Sequence, residues 1–162
     1  MRRGGSELRS LSERDELYFI DSNIFLELEL DEEHAEACGV LLRALRDGAM
    51  RGITTLFHID SILIVMEQYG RELRGLRLFL TSLLAYKGLR VIPLSLLDRI
   101  RAIEYMEHFG LDFDDALTYH TMRKLGIRKI ISYDHDFDRI TEIERIEPED
   151  IHQKPETLQR RR

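Results

Sequence analysis

Four short runs rich in β-branched and aromatic residues punctuate this chain: LYFI at 17–20, GITT at 52–55, LRVIP at 89–93 and RKIIS at 128–132. More than thirty residues separate each run from the next. A gap of that length, filled with helical periodicity, is a crossover that returns the chain to the same edge of a sheet. The pattern predicts an α/β fold with a central, mainly parallel sheet of four or five strands flanked by helices. The fifth strand would come from IERI, 143–146, after a short helical turn that begins near Asp138.

The crossovers carry their own punctuation. Ala37, Leu41 and Leu45 recur at helical spacing from His34 to Arg46, and Gly48 is a stop signal. Thr55 is a cap for the apolar run LFHIDSILIVMEQY, read as a buried helix that ends at Gly70. A basic amphipathic helix is expected from Arg71 to Tyr86. Ser95 should cap a helix reaching Phe109, and Asp112 one from Phe113 to Leu125. DSN at 21–23 favours a turn or a helix cap. Phe57, Tyr69 and Phe79 read as core, and Cys38 as a small buried apolar group.

With 162 residues, 43% of them apolar and 33% charged, one folded domain is expected. Its span is 17–150, between a loose arm at 1–16 and a polar, basic tail at 151–162. No run approaches the roughly 20 apolar residues that cross a membrane. The polar start lacks the apolar segment of a signal peptide, and the single cysteine cannot form an internal disulfide. A cytoplasmic location without membrane attachment is the expectation.

A net charge of −6 is an unusual sign for a nucleic-acid partner. The average conceals an asymmetry. From Arg71 to Arg101, seven basic residues face only Glu72 and Asp98. Acids gather instead at Asp112, Asp114, Asp115, Asp134, Asp136 and Asp138. A basic surface near an acidic focus is one reading; solvated helix faces are the plainer one.

In open parallel sheets, sites form outside the carboxyl ends of the strands. Asp21 directly follows LYFI, and Asp134 lies two residues after RKIIS. Asp115 opens the helix that leads into RKIIS, so all three can meet at one edge. Gathered carboxylates repel one another unless they hold protons or a cation. Oxygen-only ligands suit Mg²⁺ or Mn²⁺. Such ions acidify bound water and neutralise charge on a phosphate, which suits phosphodiester hydrolysis. A fourth acid is sought in the helix after Thr55. Asp60, among apolar neighbours, is the stronger candidate; Glu67 lies near the helix end and should face solvent. The bland alternatives are helix caps and dipole partners, above all for Asp112 and Asp114. A calcium loop from Asp134 is excluded, because Arg139 and Arg145 occupy the positions that need Gly and Glu. The histidines lack paired zinc spacing, and there is no phosphate loop or nucleophile elbow. An aspartyl phosphatase is disfavoured by Asn23, where that chemistry wants a second Asp.

Three segments, in order, resemble the motifs of PIN-domain nucleases: FIDSNIF at 19–25, LDFDDALTYHTMRKLG at 111–126 and IISYDHDF at 130–137. The likeness covers about residues 17 to 140, and its FHIDSI segment resembles an archaeal-type subgroup near VapC-like toxins. It implies a small Rossmann-like domain and a Mg²⁺- or Mn²⁺-dependent endoribonuclease leaving 5′-phosphate and 3′-hydroxyl ends. It also implies RNA as substrate, a homodimer, and a toxin role with an antitoxin partner. By position it implies Asp21, Asp115 and Asp134 as metal ligands, Asp136 as a further ligand, and Asn23 and Ser132 as orienting groups. The family's second motif has a glutamate where alignment places Ser61. Asp60, its neighbour, is taken as the substitute catalytic acid and ligand. Arg71, Arg74 and Arg77 are the candidate guides for the RNA backbone. A catalytically weak RNA-binding or assembly module is the rival reading.

Overall fold

A computed structural model describes residues 16–152. The first strand, β1 (Leu17–Ile20), enters α1 (Ser22–Leu30) and α2 (Ala35–Asp47). Then come β2 (Arg51–Thr55), α3 (Leu56–Gln68), α4 (Leu73–Leu83) and β3 (Leu89–Ile92). The chain continues through α5 (Leu96–Phe109), α6 (Phe113–Leu125) and β4 (Lys129–Ile131). A 3₁₀ turn (His135–Arg139), β5 (Glu144–Ile146) and α7 (Pro148–His152) close it. All five strands are parallel, in the order β3-β2-β1-β4-β5. The expected α/β class and mainly parallel sheet are therefore what the chain builds. Among the described residues, no helix is long and apolar enough to cross a membrane.

The strand order reverses beside β1. The chain first moves outward through β2 and β3, then returns to place β4 on the other flank of β1. This is the switch point of an open parallel sheet, where two crossovers part and leave a crevice at the carboxyl edge. The register pairs Ile20 with Ile131, so Asp21 and Ser132 emerge side by side. The Asp21 N–H still donates to the Ile131 carbonyl, at 3.1 Å, and fixes that exit.

Two apolar layers sandwich the sheet. One is built on Ile20, Phe25, Leu41, Leu45 and Ile62; the other on Phe19, Ile53, Leu117, Met122 and Phe137. Strand side chains alternate between faces, so Phe19 and Ile20 serve opposite layers. Asp98 is buried in α5 and takes bonds from Lys124 (2.8 Å) and His120 (2.9 Å) of α6. That contact clamps α6 to α5.

Several expectations need correction. Of the two readings of DSN, the helix cap holds and the turn does not: Asp21 caps a nine-residue helix. The basic helix is shorter than Arg71–Tyr86, because Glu72 is its cap and the chain turns after Leu83. Helix α3 is only half buried, with Leu56 and Ile64 exposed. Tyr69 lies outside the core at 67% exposure, past the end of that helix, whereas Phe79 is buried. The turn expected near Asp138 begins earlier, at His135. The arm before Glu16 and the tail after His152 lie outside the described residues.

Candidate metal centre

Asp21 is the hub of the site. It caps α1 through a 2.7 Å bond from the Ser22 N–H to its Oδ1. Its Oδ2 accepts from Ser132 Oγ at 2.5 Å and from Asn23 Nδ2 at 3.0 Å. Asn23 also donates to Ser132 Oγ at 3.1 Å, and the Asp134 N–H donates to that oxygen at 2.9 Å. One hydroxyl thus ties the exits of β1 and β4 together. Burial pushes the Asp21 carboxyl above its ordinary range; bonds from Ser132 and Ser22 oppose the rise, and repulsion from Asp134 adds to it.

Asp115 is delivered by α6. Its N–H donates to Oδ1 of the cap residue Asp112 at 3.1 Å. Its side chain is 5% exposed, and Oδ2 is buried without a hydrogen-bond partner. Burial, then repulsion from Asp134, Asp112, Asp114 and Asp21, pushes its carboxyl up to about 8. An oxygen each from Asp115, Asp134 and Asp136 lie within 4.8 Å of one another. Asp134 accepts from the Asp136 N–H at 2.8 Å, which holds the 3₁₀ turn against the strand exit. Asp136 also pairs with Arg139 at 2.9 Å.

These donors fit a divalent cation. They are all carboxylate oxygens, as hard cations prefer. A buried carboxylate oxygen with no partner is a ligand position that protein groups leave unsatisfied. The structure brings Asp115, Asp134 and Asp136 together, and sets Asp21 beside them through Ser132, which Asn23 also contacts.

Asp60 stands apart. It is exposed on α3 and belongs to neither three-acid group among the described residues. Ser61 spends its hydroxyl on the Phe57 carbonyl at 2.9 Å. The α3 side chain that turns inward is His58. It is 1% exposed and bridges Thr55 Oγ1 (2.7 Å) to Thr118 Oγ1 (2.8 Å), one turn beyond Asp115 on α6. Burial lowers its pKa to about 4, so it is neutral at pH 7. Two residues along a helix rotate about 200°, which carries Asp60 away from the side His58 occupies. The Thr-x-x-His spacing, a cap followed by the third helical residue, was the available signal for His58. Glu67 is exposed, as expected.

Arg71, Arg74 and Arg77 are all exposed on or just before α4. Arg71 donates to the Glu29 carbonyl, near the far end of α1. Asp21 caps the opposite end of that helix, about 12 Å away at 1.5 Å per residue. Arg71 thus lies remote from the acid cluster along α1.

Open parallel sheets with acids at a switch point are a common enzyme architecture, but sequence comparison is more specific. The PIN domain family model matches residues 18–143, and the chain belongs to that family. Comparison with curated proteins finds no match by sequence. Similar solved structures include a toxin–antitoxin complex from Klebsiella pneumoniae, with 18% identity and TM-score 0.57 over 81% of this chain and 97% of that one. A second is VapC20 of Mycobacterium tuberculosis, a sarcin–ricin loop cleaving toxin, with 16% identity and TM-score 0.63 over 77% and 95%. A third is VapBC2 from Rickettsia felis bound to a fragment of promoter DNA, with 15% identity and TM-score 0.60 over 81% and 98%. At such identities the likeness is one of fold.

Proposed function

We propose that this chain is a Mg²⁺- or Mn²⁺-dependent endoribonuclease, acting as the toxin of a toxin–antitoxin pair. The observation that carries the reading is the convergence of Asp115, Asp134 and Asp136 on one sheet edge, beside Asp21, with a buried oxygen of Asp115 left unpartnered. Bound there, the ion supplies an activated water and offsets charge building on the phosphate. Asp115 and Asp134 would hold it, with Asp136 beside them. Asp21 would hold it too, while Ser132, Asn23 and the Ser22 N–H keep its carboxylate from rotating. Asp60, exposed on α3, would reach the ion only after rearrangement. Arg74 and Arg77 would steer RNA by charge along α4, with Arg71 at its start.

A homodimer is part of the proposal. Leu96, Leu97, Ile100 and Ile103 are each at least half exposed on one side of α5, opposite buried Ala102 and Asp98. The occupant of that apolar face would be a second copy. The antitoxin is assigned to α4, where Leu73, Leu78 and the adjoining Leu84 are exposed.

The specific rival is an RNA-binding module with weak or no catalysis. It is favoured by one observation: α3 contributes neutral His58 and no acid to the cluster. Cleavage of a labelled structured RNA separates the two. Metal-dependent cuts with 5′-phosphate ends, abolished by EDTA and by Asp21→Asn, are expected. RNA retention without cuts by the wild type, under either metal, would favour the module. Cuts that survive Asp21→Asn would displace the site.

A further inference from the structure

Between Ser132 and Asp134, at the exit of β4, stands Tyr133, a side chain the proposed chemistry does not use. We propose that Tyr133 is a positioning residue for Asp134, and that Glu149 of α7 holds it in place. The proposal rests on the metal-dependent reading above and extends it to the closing helix of the fold.

The backbone alone leaves this exit loosely determined. Ser132 is well held: its hydroxyl bonds Asp21, and its carbonyl accepts from Arg145 Nη1 at 3.0 Å. The Asp134 N–H donates to Ser132 Oγ. Between them the chain bends at Tyr133, past the last residue of β4. The Tyr133 N–H reaches only Asn23 Oδ1, at 3.5 Å, which is long for a hydrogen bond. Each residue has two soft dihedrals, so a bend held this weakly can swing unless its side chain is fixed. Asp134 follows directly, and Asp115 stands on a different element, so a swing at Tyr133 would move the two carboxylates apart.

The side chain is fixed from three directions. Its ring packs against the apolar layer that includes Ile20, Phe25 and Leu41. Its hydroxyl donates to Glu149, whose two oxygens lie at 2.9 and 3.1 Å. His34, the residue before α2, stacks on the ring with 4.2 Å between centroids and 21° between planes. His34 Nδ1 also lies 3.0 Å from Glu149 Oε1. An ionised carboxylate can only accept, so that nitrogen carries its proton. The His34 N–H in turn donates to Glu27 Oε2 of α1 at 2.8 Å. Phenol, imidazole and carboxylate therefore touch pairwise, although they come from the β4 exit, the start of α2 and α7. Helix α7 has five residues and packs on α2. An acid in a first turn ordinarily serves the helix dipole; Glu149 takes donors from two other elements as well.

The test measures Mn²⁺ affinity of the full chain by electron paramagnetic resonance of the free ion at pH 8, beside the melting temperature in EDTA. Tyr133→Phe keeps the ring and its stack and removes the donor. It should weaken Mn²⁺ binding about tenfold, the low end for partners that orient metal ligands. Glu149→Ala should do the same, and the double variant no more than either, because both remove one bond. Glu149→Gln retains an acceptor oxygen and should stay within about twofold of the wild type. Leu45→Val is the control for lost stability. Leu45 is a core residue, and its carbonyl accepts from the Gly88 N–H just before β3, at the opposite edge of the sheet. That variant should lower the melting temperature without changing the affinity. Should Tyr133→Phe not fold, Glu149→Ala against Glu149→Gln decides the same question. Wild-type affinity in Tyr133→Phe, additive losses in the double variant, or an equal loss in Leu45→Val would overturn the proposal. No Mn²⁺ bound by the wild type would overturn the metal-dependent reading, and the proposal with it.

Discussion

Asp115 concentrates the site's physics in one side chain. Its carboxyl, pushed to about 8, holds its proton more tightly when folded than in the unfolded chain, where the ordinary value is near 3.8. The stabilisation this gives is complete below the ordinary value and is lost as pH rises through about 8. The metal-free protein should therefore melt at a lower temperature at pH 8.5 than at pH 5.5. Asp115→Asn should remove much of that decline, with a gain on the order of 2 kcal/mol at pH 8.5. Mn²⁺ should restore the wild type at high pH and not the variant. Cation binding must expel the proton, so its apparent affinity should fall toward pH 6, by up to about tenfold per unit and proton. Calorimetry in buffers of different ionisation heat reads the released proton. A melting temperature flat across this range would refute the assignment.

At the scale of elements, the clamp between α5 and α6 holds the helix that carries Asp115. Asp98 is buried and accepts from Lys124, His120 and the Ser95 backbone and hydroxyl. Lys124, then His120, hold its carboxyl well below the usual carboxylate range. Its stabilisation is present above the ordinary value and is lost as pH falls through the depressed one. Asp98→Asn should cost about 1–3 kcal/mol at pH 7, discounted because Lys124 is half exposed. The difference from wild type should narrow toward pH 3 in thermal unfolding. A constant difference would mean that packing, not charge, is lost. The strands were legible in the sequence because β-branched runs recur at crossover distances. Caps at Thr55, Ser95 and Asp112 were legible as side-chain acceptors ahead of apolar runs. Helix α1 was not, because LELEL alternates with a strand's period and only Ile24 and Phe25 are buried. The acids at strand exits were readable from chain order alone. The face of α3 was not, since it depends on the phase of a helix: Asp60 looked buried among apolar letters, yet His58 takes the inward side.

For the whole molecule, the decisive surface is α5. An apolar face of Leu96, Leu97, Ile100 and Ile103 on a chain of net charge −6 is costly to leave in water, and each leucine or isoleucine fully buried contributes about 1.5–3 kcal/mol. The opposite face of α5 is clamped to α6 through Asp98, so in a dimer joined along α5 each copy's α6, which carries Asp115, would stand directly behind the interface helix. Dimerisation and site geometry should then be coupled through α6. Replacing Leu97 and Ile100 with lysine adds charge to that face without touching the cluster. In light scattering at micromolar concentration, the wild type should run as a dimer and Leu97→Lys with Ile100→Lys as a monomer. The fold should survive, since both side chains are more than half exposed. If α5 also steadies the site, the monomer should bind Mn²⁺ several-fold more weakly while its circular dichroism stays unchanged. A wild type that is monomeric at that concentration would leave the α5 face to a different partner. A dimeric double variant would move the interface to α4, where the same substitutions at Leu73 and Leu78 would then be expected to separate the copies.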